Sequence, residues 1–159
     1  RITVELQADK KLKAVAAGTR GEHNLYAGGP GPSYNTDENT TWTTRWNGTW
    51  AIAGDKLVLD LALVDHKCSH TKTTAAQKPE VLPCGGASKQ TQLVCTSAQI
   101  KLEDLAQPNK SQEVAAWRCS AKDSTDLAES PSPWLLGKTT CIETLGGHMA
   151  SDVFRACAP

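Results

Sequence analysis

The chain has 159 residues, 39% of them hydrophobic and 21% charged, with five Trp but a single Phe and a single Met; this suits one domain over residues 1–159 around one core and excludes a chain disordered throughout. Seventeen basic residues balance seventeen acidic ones, which leaves no net field to attract a nucleic-acid backbone or an anionic membrane surface. No apolar run approaches the roughly 18 residues of a membrane-spanning helix, and the amino end RITVELQADKK carries no apolar stretch of the signal-peptide kind.

Residues 2–6 alternate apolar and polar as an opening strand does, and residues 12–17 return beside them after a turn at Ala8, Asp9 and Lys10. Residues 18–37 show no sustained period and are rich in Gly, Pro, Ser and Asn, which predicts a long loop containing the stretch YAGGPGPSY. The clearest signal is TTWTTRWNGTWAIAGDKLVLDLALV, residues 40–64, where two turn signals divide β-branched, aromatic and alternating apolar residues. With Asn47-Gly48 in a type I′ turn, Trp46 faces Thr49 and Arg45 faces Trp50. With Gly54-Asp55 in the next turn, Ile52 pairs with Leu57 and Trp50 with Leu59. Trp50, Ile52, Leu57, Leu59, Leu61 and Leu63 then share one face, the expected core, while Trp42, Trp46, Ala51, Val58 and Ala62 fall on the other.

Between Cys68 and Cys84 the chain is polar and reads as a surface excursion. Residues 92–102 and 113–120 read as strands, with at most a helical turn over 101–106, and residues 122–133 as a loop. A strand over 133–142, interrupted at Gly137, and a short strand before Cys157 complete the chain. About eight strands in meander order with little helix predict an all-β fold, an antiparallel barrel or sandwich.

The six cysteines, Cys68, Cys84, Cys95, Cys119, Cys141 and Cys157, contain no CxxC spacing, which argues against a zinc knuckle or a thioredoxin-type motif. Several pairings are open to an even set of this size. The sequential one joins Cys68 with Cys84, Cys95 with Cys119 and Cys141 with Cys157, closing loops worth on the order of 2 to 4 kcal/mol each. The middle pair is favoured because the two strands that carry it would be antiparallel neighbours. Disulfides point to an oxidising compartment, secreted or periplasmic. Sequons at Asn39, Asn47 and Asn109 count only in a host that glycosylates Asn.

Several residues are candidates for chemistry. Arg45 beside Trp50 is a cation on an indole if exposed, and an anion site if buried. Trp42 and Trp46 either pack beneath the 28–34 loop, which ends at Tyr34, or form with it an aromatic platform for a protein or glycan. His66, Cys68 and His70, on one side of a strand, suit Cu or Zn with His148 as a further ligand, at the cost of an unpaired thiol. Motifs of the GxSxG, HExxH and GxxxxGK[ST] types are absent, so neither a cofactor nor a catalytic residue is indicated.

The run WNGTWAIAGDKLVLDL, residues 46–61, resembles the GTW, turn, G-D-x-L-x-L-x-L hairpin of small lipocalin-like extracytoplasmic domains of the calycin type. It covers roughly a tenth of the chain, and the GxW of a lipocalin's first strand is absent from the amino end. The resemblance implies a cup-shaped barrel with an apolar interior. The function expected is a binding module that holds a small apolar or amphipathic ligand among Arg45, Trp50, Ile52, Leu57, Leu59 and Leu61. The alternatives are a protein or glycan interaction domain using Trp42, Trp46 and Tyr34, and a Cu or Zn carrier using His66 and His70.

Overall fold

The computed structural model describes residues 2–26, 34–74, 77–103, 110–121, 134–138, 142–145 and 153–156, and among these every regular element is a β-strand. In chain order the strands are β1 (Ile2–Leu6), β2 (Lys11–Tyr26), β3 (Tyr34–Ala53), β4 (Lys56–Thr74), β5 (Glu80–Leu82), β6 (Gln90–Glu103), β7 (Ser111–Ala121), β8 (Trp134–Gly137), β9 (Ile142–Leu145) and β10 (Val153–Ala156). One antiparallel sheet runs in the order β1-β2-β3-β4-β6-β7-β8, with β5 added to the far half of β4, and β9 pairs with β10 separately. No helix among the described residues is long and apolar enough to cross a membrane.

The sheet coils until β1 touches β8, but no ladder joins these edge strands of five and four residues, so the barrel is not closed. The interior face buries Leu12, Ala14, Ala16, Trp46, Leu57, Leu59, Leu61, Leu93, Trp134 and the pair Cys95 and Cys119. A second cluster lies on the opposite face of β6, β7 and β8, where Ile100, Leu102, Val114, Ala116 and Leu135 pack with Ile142 of β9 and, half-buried, Phe154 of β10. This second layer gives that end of the sheet a sandwich character.

The β1–β2 hairpin turns through Gln7 to Lys10, where Lys10 takes a positive φ of 67°. Gly54-Asp55 form the two-residue turn between β3 and β4, as the leucine alternation requires, with Gly54 at φ 65°. Asn47-Gly48 do not turn. β3 passes through them unbroken, with Gly48 opposite Leu12 on one side and Leu61 on the other. The glycine serves close approach, because a β-carbon there would stand 1.8 Å from the Asp60 carbonyl oxygen.

This correction changes the faces. In one continuous strand Thr44, Trp46, Gly48, Trp50 and Ile52 all point inward, so Trp46 joins Trp50 rather than opposing it. Residues 18–26 and 34–37 belong to β2 and β3 rather than to a loop, and β6 runs to Glu103, into the stretch that was allowed at most a helical turn. Residues 27–33 lie outside the described residues.

A β-bulge sits in β4, where Arg45 faces Asp65 but Trp46 faces Leu63, leaving Val64 as the extra residue. Before it the odd residues Leu57, Leu59, Leu61 and Leu63 face inward; after it the even residues His66, Cys68, His70 and Lys72 occupy that face. Beyond the bulge, residues 18–26, 34–44 and 65–74 continue β2, β3 and β4 as an arm, to which β5 adds a fourth strand at residues 70–72.

Disulfides join Cys68 to Cys84 and Cys95 to Cys119, both as the sequential pairing expects. Cys95 and Cys119 stand directly opposite each other in the β6–β7 ladder and are fully buried. The β9–β10 ladder places Ile142 opposite Ala156, the chain neighbours of Cys141 and Cys157; those two cysteines lie outside the described residues. Two disulfides fit an oxidising environment.

Candidate functional site

The expected ligand-lining leucines are the core itself. Leu57, Leu59 and Leu61 have 2%, 0% and 3% of their surface exposed and pack with Leu12, Leu93 and Cys95. Trp50 is half-buried at the end of the core, its indole donating to the Gln7 carbonyl at 3.0 Å, and its cation is Lys10, 4.0 Å above the ring, rather than Arg45. Ile52 has the inward parity but lies on the projecting β3–β4 hairpin and is 56% exposed. Arg45 is on the outer face, donating to Asp65 at 2.7 Å across the bulge, because the unbroken strand puts it on the side away from Trp50.

Trp46 is buried and meets Trp134 edge-on, ring centres 5.3 Å apart. Neither indole N–H has an acceptor among the described residues. Trp42 lies half-buried across Gly18, whose missing β-carbon would fall 2.4 Å from the Trp42 ring. Neither Trp forms an exposed platform. Tyr34 opens β3 opposite Tyr26; the rest of the 28–34 loop lies outside the described residues.

His66, Cys68 and His70 do share a face, but they do not make a metal centre. Cys68 is bonded to Cys84, and positions four apart on a strand are separated by about 13 Å. The imidazole of His66 bonds Thr44 Oγ1 at 2.8 Å and the Gly85 carbonyl at 3.2 Å. His70 bonds the Pro83 carbonyl at 3.4 Å and approaches Glu38 at 3.6 Å. No group of three or more His, Cys, Asp or Glu among the described residues could hold a metal ion. His148 lies outside them. These histidines anchor the segment that carries Cys84.

The feature that the sequence reading missed is the outer face of the arm. Its ladder aligns side chains from three strands in rows: His23, Asp37 and Thr73 in one, Gly21, Asn39 and Thr71 in the next. Neighbours across strands lie about 4.8 Å apart and those along a strand about 6.7 Å apart. His23 Nδ1 sits 2.5 Å from Asp37 Oδ1, with both side chains more than half exposed. Gly21 leaves room for the Asn39 amide, since a β-carbon would meet its Oδ1 at 3.3 Å. Thr71 donates to the Asn39 carbonyl at 3.4 Å. A cleft of about 650 Å³ is lined by Gly21, Glu22, His23, Asn24, Asp37, Asn39 and Thr73.

The inner face of the arm is charged. Glu38 accepts from Lys72 at 3.0 Å and neighbours His70. The Lys72 ammonium, and after it His70, hold the Glu38 carboxyl below the usual carboxylate range. Arg20 pairs with Glu22 along β2.

An imidazole, a carboxylate, an amide and a hydroxyl on one rigid ladder supply both donors and acceptors to a single guest. No family model, curated protein or solved structure matches the chain.

Proposed function

We propose that the chain is an extracytoplasmic interaction module whose arm binds a polar, hydroxyl-rich ligand of the carbohydrate class in the cleft at His23, Asp37, Asn39 and Thr73. The observation that carries this reading is the set of polar side chains that the outer face brings to the cleft, His23, Asp37, Asn39 and Thr73. The cleft's volume falls within the range typical of small-ligand sites. Two disulfides support an oxidising, extracytoplasmic setting.

The apolar-ligand reading is favoured by one observation. Among the described residues the N–H groups of Trp46 and Trp134 are buried without acceptors, and an amphipathic guest entering between β1 and β8 would meet two donors.

Two-dimensional NMR titration of the labelled chain tests both. A panel of oligosaccharides should shift the amides of residues 21–24, 37–39 and 73 saturably, and His23→Ala should weaken that binding at least about tenfold. No saturable shift there with any sugar would overturn the first reading. Shifts confined to Leu57, Leu59, Leu61 and the indole N–H signals on adding a fatty acid would establish the second.

A further inference from the structure

β1 pairs with β2 over residues 12–16 alone, and among the described residues no strand lies beside β2 on that side from Gly18 onward. Among the described residues, 18–24 therefore present a row of backbone donors and acceptors along an open edge, the geometry to which an added strand binds. Charged side chains on an edge ordinarily deter such pairing. Here the charges are ordered differently: Arg20 and Glu22 flank Gly21, with opposite signs at equal distance from it.

We infer that this edge pairs with the same edge of a second copy, antiparallel, about a two-fold axis through Gly21. In that register Arg20 of each copy stands opposite Glu22 of the other, Thr19 opposite His23, and Gly18 opposite Asn24. Opposite charges facing each other across antiparallel strands stabilise, and like charges destabilise. Moving the axis by one residue in either direction places Arg20 on Arg20 or Glu22 on Glu22, so the charges select one register. The interface is isologous and closes as a dimer. The two arms become one continuous sheet, and the clefts beside β2 come to lie on either side of the axis. Arg20 and Glu22 are exposed and already ion-paired within one copy, so exchanging partners across the axis costs little desolvation. The inference rests on the ladder and its charges and is independent of the ligand reading.

Sedimentation velocity of the full chain over a range of concentrations tests it, with far-UV circular dichroism confirming that each variant is folded. The unsubstituted chain should dimerise reversibly, and Arg20→Glu or Glu22→Arg alone should each weaken association at least about tenfold, since either sets like charges opposite each other twice. An equimolar mixture of the two variants restores complementarity and should recover the dimer. A chain that stays monomeric at every concentration would overturn the inference, as would single charge reversals that associate as well as the parent.

Discussion

Gly48 and Asp60 approach so closely that a β-carbon on the glycine would stand 1.8 Å from the aspartate's carbonyl oxygen. The contact explains why a dipeptide with strong turn character lies inside a strand. Gly48→Ala should therefore cost about 3 kcal/mol or more, because backbone must move to admit the methyl group. Asn47→Ala, at an exposed position of the same strand, should change stability by less than about 0.5 kcal/mol. Urea denaturation of the two variants checks the contrast; equal effects would contradict it.

Trp46 and Trp42 should separate by stability. Trp46→Ala removes a buried indole that braces Trp134 and should cost about 3 to 5 kcal/mol. Trp42→Ala uncovers Gly18 at a half-buried site and should cost distinctly less. Thermal denaturation of both variants measures the difference. A Trp46→Ala protein as stable as its parent would return that residue to the surface.

The two disulfides among the described residues should fail differently on removal. Replacing Cys95 and Cys119 together by Ala takes a cross-link and two fully buried side chains from the core, a loss of about 2 to 5 kcal/mol. Replacing Cys68 and Cys84 should act locally, freeing β5 from β4. Hydrogen exchange should then speed up at residues 70–72 and 80–82 while the amides of Leu59 and Leu93 stay protected. Uniform acceleration across both regions would contradict this.

Acid should weaken the arm through Glu38. Its carboxyl titrates below its ordinary value in the folded chain, chiefly because of Lys72. The stabilisation is therefore fully present above the unfolded pKa, about 4.3, and is lost as pH falls through the lower folded value. Asp9, lowered by Lys11, contributes in the same direction. The test is thus a comparison of the parent with Glu38→Gln, which leaves Asp9 in place: the parent should lose more stability between pH 6 and pH 3. Equal losses would show that the pair with Lys72 contributes nothing.

What could be read in the sequence followed from burial on one face. Leu57, Leu59 and Leu61 alternate because one side of β4 is core, and that alternation locates the Gly54-Asp55 turn. The pairing of Cys95 with Cys119 followed from two adjacent strands. The arm was not legible for the opposite reason: residues 18–24 and 35–41 carry no apolar side chain on either face, and their strands are held by ladders on neighbouring chain segments rather than by an apolar stripe. The threonines of TDENTTWTT were the available strand signal. Asn47-Gly48 misled because local turn preference was outweighed by two flanking strands that both need β3 between them. The cleft residues come from three strands, and no local pattern links His23 to Thr73.

Both the arm and its cleft exist only if β3 crosses Asn47-Gly48 without turning. Nuclear Overhauser contacts of the Gly48 backbone decide this directly. The fold described here places Gly48 beside Leu12 on one side and Leu61 on the other, so contacts to both strands are predicted. Contacts joining Trp46 to Thr49 across a tight turn, with none from Gly48 to Leu12, would contradict the account.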